Sequence, residues 1–189
     1  MRKSYQVIFG VLLLLLLGGC AGGNGDDPAK TDPGAAGTSP AQEESSPIFI
    51  TFEATDLEGN TVSEEVFTRS RLTMVNVWAT YCNPCLREMP GLGQLSAEYD
   101  PGEVQIIGVV SDVREGEDQS LVESLVQQTG ADYPHLLANA SIDRALLASV
   151  SGVPTTFFFD GEGAYLGGVV GSADRSKWEE LIHELLEKM

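Results

Sequence analysis

Residues 72–79 read L-T-M-V-N-V-W-A and residues 104–110 read V-Q-I-I-G-V-V, both apolar at nearly every position. Short runs without alternation fit strands buried on both faces, as in the middle of a parallel sheet. Between and after them the period changes. Leu86, Met89, Leu92 and Leu95 recur at helical spacing from Cys82 to about Tyr99, with Pro90 expected to kink the helix. Leu121, Val122, Leu125 and Val126 share one face of a helix over Asp118–Thr129, and Ser141 is placed to cap another through Val150. Pro134–Leu137 reads as a short strand, and Thr155–Phe159 and Ala164–Val170 flank the turn Asp160-Gly161-Glu162-Gly163 as a hairpin. The last helix gathers Trp178, Leu181, Ile182, Leu185 and Leu186 on one stripe, with Glu179, Glu180, Glu184 and Lys188 opposite. At the start, Phe49–Ala54 alternates, Glu58-Gly59-Asn60 turns, and Thr61-Val62 returns, so an N-terminal β-hairpin extension is expected, with Ser63-Glu64-Glu65 opening a short helix. The order of elements predicts an α/β fold with a mixed central sheet flanked by helices.

Another apolar run is of a different kind. Arg2 and Lys3 precede Val7–Leu17, and the run stops at Leu17-Gly18-Gly19-Cys20. A basic start, a short apolar stretch and small residues before a cleavage point describe a secretory signal; about 20 apolar residues would be needed to span a bilayer comfortably. The Leu-Gly-Gly-Cys ending resembles the lipobox of bacterial lipoproteins, which implies cleavage before Cys20 and a diacylglycerol on its thiol. An ordinary cleaved signal with an incidental cysteine is the other reading. Residues 21–47 contain no Ile, Leu, Val, Met, Phe, Trp or Tyr, so they cannot bury enough apolar surface to offset the entropy of ordering. They read as a tether with a reach of roughly 30 Å. The expected organisation is therefore a lipoprotein signal peptide (1–19), a lipidated cysteine and disordered tether (20–47), and one domain (48–189), a usual size for a single core.

The formal charge of −17 argues against nucleic acid, which needs a basic footprint. It equally argues against broad adhesion to anionic lipid, leaving the lipid on Cys20 as the membrane attachment, on the outer face of the cytoplasmic membrane.

The chain has three cysteines, and the two left after Cys20 stand in W-A-T-Y-C-N-P-C, residues 78–85. Cys82 follows a strand and opens a helix, where unpaired N–H groups and the helix dipole stabilise a thiolate. Cys85 lies one turn further in, less exposed, placed to attack a mixed disulfide formed on Cys82. Pro84 falls in the first turn, where its missing N–H is harmless. This spacing supports two-step thiol–disulfide exchange. A zinc site would need about four ligands, and only His135, which reads as structural beside its strand, and His183, on the polar face of the last helix, could join the pair. A structural disulfide is the other alternative, although so small a loop yields little stabilisation.

Val75-Asn76-Val77-Trp78-Ala79-Thr80-Tyr81-Cys82-Asn83-Pro84-Cys85 resembles the active site of thioredoxin-like proteins, in the form of the membrane-tethered TlpA and ResA type of thiol–disulfide oxidoreductase. Gly152-Val153-Pro154-Thr155 resembles the second signature of that fold. The resemblance implies a thioredoxin-like fold over 48–189, a redox disulfide Cys82–Cys85, and a cis Pro154 facing it. It also implies that Val153 offers backbone hydrogen bonds to an extended substrate. Trp78 and Tyr81 flank the pair and are candidates for a docking surface, Trp78 equally for the core. Classical thioredoxins carry an aspartate where this chain has Asn76, which cannot take a proton, so another base is needed; Glu88, three residues after Cys85, matches a glutamate of the ResA-like members. An ordinary solvated helix residue is the alternative for Glu88. No cofactor is expected. Implied partners are a disulfide-containing protein substrate, such as apocytochrome c or an extracellular methionine sulfoxide reductase, and a membrane thiol-electron transporter of the CcdA type. A disulfide-forming oxidant and a non-catalytic binding lipoprotein on the same scaffold are the competing functions. A peroxidase is disfavoured, because no cysteine stands in a Pro-x-x-x-Thr-x-x-Cys setting.

Overall fold

The computed structural model describes residues 46–189. The readings of residues 1–45, the Cys20 lipid site among them, lie outside these residues. An N-terminal hairpin, β1 (Glu53–Thr55) with β2 (Thr61–Ser63), leads through a 3-10 turn (Glu64–Arg69) into β3 (Leu72–Trp78). Helix α1 (Asn83–Glu98), β4 (Val104–Arg114), α2 (Ser120–Thr129), β5 (His135–Ala138) and α3 (Ala140–Ala145) follow. A hairpin of β6 (Thr155–Asp160) and β7 (Tyr165–Val170), then α4 (Arg175–Lys188), complete the domain. The main sheet has the order β5-β4-β3-β6-β7. β3 is its centre, parallel to β4 and antiparallel to β6.

Every residue of β3 is buried, which is why its sequence shows no alternation: both faces are covered. Leu72, Met74 and Trp78 face a core built with Met89, Leu92 and Leu95 of α1, Val122 of α2, and Trp178 and Ile182 of α4. Val75 and Val77 face the other core, with Phe52, Phe67 and Ile142. Fully burying a side chain of this size contributes roughly 1.5–3 kcal/mol, so the two cores hold β3 rigidly between them. The sheet thus becomes a fixed platform for whatever stands at the end of β3.

Several boundaries differ from the sequence expectation. The Asp56 carboxylate accepts from the Glu58 and Asn60 backbone N–H groups and from the Asn60 side chain. It closes a turn so tight that only three residues on each side pair; Phe49 instead bridges to Ala164. Asn139, not Ser141, caps α3, its side chain accepting from the N–H groups of Ser141 and Ile142. The Ser141 hydroxyl accepts from the Glu53 N–H and ties α3 to β1. That helix ends at Ala145, and a separate 3-10 turn covers Leu147–Ser149. β4 continues past Val110 to Arg114 through a register shift. Pro90 lies inside α1 without ending it.

His135 is structural, as its position suggested. Its Nδ1 accepts from the Trp78 indole N–H at 3.1 Å, and its Nε2–H donates to the Ala131 carbonyl at 2.9 Å. Gly108 lies opposite it in the β4–β5 register, and a Cβ there would run into the imidazole ring. Likewise a Cβ on Gly93 would strike the Gly130 carbonyl, so α1 approaches the end of α2 only because that position is glycine. Burial pushes the His135 pKa down to about 4, against about 6.5 unfolded. The neutral ring's stabilising contribution is then complete above about pH 6.5 and is lost as the pH falls from there towards 4. His135→Gln can keep both hydrogen bonds without titrating. Denaturant titrations from pH 7 to pH 4 should show the native protein losing up to about 3 kcal/mol more than the Gln variant. Parallel curves for the two proteins would contradict the assignment.

Candidate active site

β3 stops at Trp78, and the chain turns through Ala79–Tyr81, with the Cys82 N–H donating to the Ala79 carbonyl. Cys82 is the N-cap of α1, in extended conformation, and its Sγ accepts from the Cys85 N–H at 3.2 Å. A thiolate at this sulfur would sit where the helix presents its free donors. Pro84 occupies the first turn, and no acidic residue stands there to oppose a negative sulfur. Cys82 and Cys85 are joined by a disulfide. Cys82 is 5% exposed and Cys85 is fully buried, whereas neighbouring Tyr81 is 73% exposed. An incoming disulfide therefore has access to Cys82 and none to Cys85.

The loop that presents Cys82 is pinned from β4. Asp112 accepts from the Thr80 N–H with both oxygens, at 3.0 and 3.1 Å, and from the Thr80 hydroxyl. Ser111 donates to the Trp78 carbonyl at 2.9 Å. Sequence reasoning missed both, since it ended β4 at Val110. Their only trace in the sequence is a pair of small polar residues directly after an apolar run.

Antiparallel pairing brings the second motif to the first. Val77 stands opposite Thr155 in the β3–β6 register, so Pro154, directly before β6, lies beside the end of β3. The Val153–Pro154 bond is cis. Pro154 is buried, its carbonyl accepts from the Gly171 N–H at 2.8 Å, and Val153 is half-buried. Trp78, a candidate for the docking surface, is fully buried and has no face to offer a partner. The exposed aromatic beside the cysteines is Tyr81.

Glu88 is not a solvated helix residue. It is 5% exposed, and three groups from separate elements donate to it. The Asn76 amide reaches Oε1 at 3.0 Å; the Ala173 N–H and the Trp178 indole N–H reach Oε2 at 3.1 and 3.3 Å. Burial pushes its pKa up, and the bonds from Asn76, Ala173 and Trp178 only partly offset this. Tyr133, buried in the same core, has a hydroxyl without a protein partner, and burial with the nearby Glu88 charge raises its pKa far above its ordinary value. Among the described residues no group of three or more His, Cys, Asp and Glu is placed to hold a metal ion. Nor is any helix there long and apolar enough to cross a membrane.

The arrangement is a paired-thiol centre: a capped sulfur beside an exposed loop, a second, fully buried sulfur, a buried carboxyl one turn along the helix, and a cis proline alongside. Comparison with known proteins agrees. The profile of the AhpC/TSA family matches residues 47–164, which include both cysteines and Pro154. The thiol-disulfide oxidoreductase ResA of Bacillus thuringiensis (strain Al Hakam) is 27% identical, the alignment covering 97% of this chain and 98% of that protein. The thiol:disulfide interchange protein DsbE of Escherichia coli (strain K12) is 29% identical over 87% of this chain and 80% of its own. A thiol:disulfide interchange protein of the thioredoxin family from Chlorobium tepidum TLS superposes with a TM-score of 0.61, covering 74% of this chain and 97% of the other at 24% identity. With the expected thioredoxin-like fold and the disulfide both in place, the chain belongs to the AhpC/TSA family and is a thiol–disulfide oxidoreductase.

Proposed function

We propose that this oxidoreductase works as a protein disulfide reductase outside the cytoplasmic membrane, held there by a lipid on Cys20. The observation that carries the direction is electrostatic. A dithiol oxidises its partners strongly when its reduced form is stabilised as a thiolate. Here the intervening Asn83-Pro84 brings no cation, and the groups acting on the carboxyl one turn beyond Cys85 are neutral donors. A thiolate at Cys82 has the helix N-terminus in its favour and little else, so the disulfide is the preferred state and the dithiol gives up its electrons.

The reaction proceeds in two exchanges. The Cys82 thiolate attacks one sulfur of the partner's disulfide, forming a mixed disulfide and releasing the partner's other sulfur as a thiolate that takes a proton from water. The Cys85 thiol then loses its proton to Glu88 and attacks the Cys82 sulfur. The bond to the partner breaks, its second sulfur leaves as a thiolate, and the enzyme is left as the Cys82–Cys85 disulfide. Two electrons have passed to the partner. A membrane dithiol donor of the CcdA type restores the reduced pair by the same exchanges in reverse. Val153, beside Pro154, and exposed Tyr81 receive the extended segment around the partner's disulfide. Apocytochrome c and an extracellular methionine sulfoxide reductase are the substrate proteins that fit this placement.

The cysteine order is open to direct test. Cys85→Ser should accumulate mixed disulfides with partner proteins, visible on non-reducing gels, because attack proceeds and resolution cannot. Cys82→Ser should accumulate few. The trapped proteins, identified by mass spectrometry, name the substrate. Equal trapping by both variants would reverse or abolish the assignment.

Glu88→Gln removes the proton acceptor. Resolution near neutral pH should slow by about 10²-fold, with loss of the Glu88 ionisation from the pH–rate profile. Three donors surround the carboxylate, so the Gln NH₂ must face one of them, at a cost of about 1–3 kcal/mol. A variant with an unaltered pH–rate profile would remove Glu88 from the mechanism.

A further inference from the structure

Asn76 sits at the centre of β3 and is fully buried. Its NH₂ group makes two hydrogen bonds, to Glu88 Oε1 and to Thr156 Oγ1, each at 3.0 Å. Its Oδ1 is buried and finds no protein partner. That asymmetry is costly, since a buried acceptor without a donor has given up its bonds to water. The reason the amide does not turn over lies in its neighbours. Turned over, its carbonyl would face the Glu88 carboxylate, oxygen against oxygen. Thr156 stands directly across the β3–β6 ladder from Asn76, and its hydroxyl oxygen is the second acceptor for the NH₂ group.

We infer that Asn76, bonded also to Thr156, is a positioning residue that sets the proton affinity of Glu88. This rests on the reading of Glu88 as the proton acceptor for Cys85, and extends it. A base that receives a proton during resolution must return it before the next cycle. Burial alone disfavours the ionised form that can accept a proton. A donor fixed on Oε1 favours the ionised form and brings the carboxyl back towards the range in which it can take up and give up a proton. Asn supplies that donor without titrating, whereas an aspartate in its place would share a proton with Glu88. The other groups acting on the carboxyl are the Ala173 N–H ahead of α4, the Trp178 indole on α4, and the nearby neutral Tyr133 phenol ahead of β5. None is a cation, so no ion pair stands in for the amide.

Two variants of the full chain test the inference. Asn76→Leu removes the donor together with the unmet acceptor. Thr156→Val keeps the shape of residue 156 and removes only the hydroxyl that anchors the amide. Carboxyl ¹³C NMR titration of Glu88 in the oxidised protein should show its pKa rising by about one pH unit in Asn76→Leu, and by less in Thr156→Val. The Glu88 ionisation in the pH–rate profile of resolution should move up by the same amounts, and neither shift should survive in a Glu88→Gln background. An unmoved Glu88 titration in both variants overturns the inference, as does a profile shift that persists without Glu88. If the NMR titration moves and the rate profile does not, the inference stands and the assignment of Glu88 as base fails. Should Asn76→Leu fold poorly, Thr156→Val carries the test alone.

Discussion

A carboxylate buried where the central strand, the redox helix and the last helix meet constrains the rest of the domain. Removing an ion from water costs several kcal/mol unless its lone pairs are met, and Glu88 meets them with donors drawn from β3, from the turn ahead of α4, and from α4 itself. Each donor fixes the element that carries it. The Trp178 indole ties α4 to α1, and Ala173 holds the segment that also sends the Gly171 N–H to Pro154. Glu88 and the proline beside the cysteines are thereby parts of one connected network. A change at the carboxyl is felt at the surface where a substrate would lie.

Much of this was legible in the sequence, and the part that was not has a common physical character. β3 and β4 declared themselves because strands covered on both faces lose their alternation. The cysteine pair was visible because its chemistry is carried by residue type and short spacing, and Pro154 through its resemblance to the second signature of thioredoxin-like proteins. α4 showed its stripe because one face is buried and the other solvated. What stayed hidden was pairing across long separations. The partners of Glu88 are 12, 85 and 90 residues away, and Asp112 reaches Thr80 over 32 residues. Composition and period say nothing of such contacts. Where two candidates compete locally the choice is also tertiary: Asn139 and Ser141 can both cap α3, and Ser141 is drawn off by the Glu53 N–H. For Glu88 the sequence offered a base beside the cysteines, with an ordinary solvated helix residue as the alternative; only its neighbours show that it is buried.

The same site supports the proposal that the reaction runs towards reduction of a partner. Thiol–disulfide pairs on this scaffold differ in potential according to how well the reduced form is stabilised. Cys82 receives one backbone N–H and the helix terminus. It has no cation in the intervening dipeptide, and a carboxyl lies along the same helix. Those features leave the thiolate modestly stabilised and the disulfide favoured. The reduction potential of the Cys82–Cys85 couple, measured by equilibration with glutathione or dithiothreitol at pH 7, tests this most directly. The account predicts a value near that of thioredoxin, about −270 mV; a value near that of the strong disulfide-forming oxidants, about −120 mV, would contradict it.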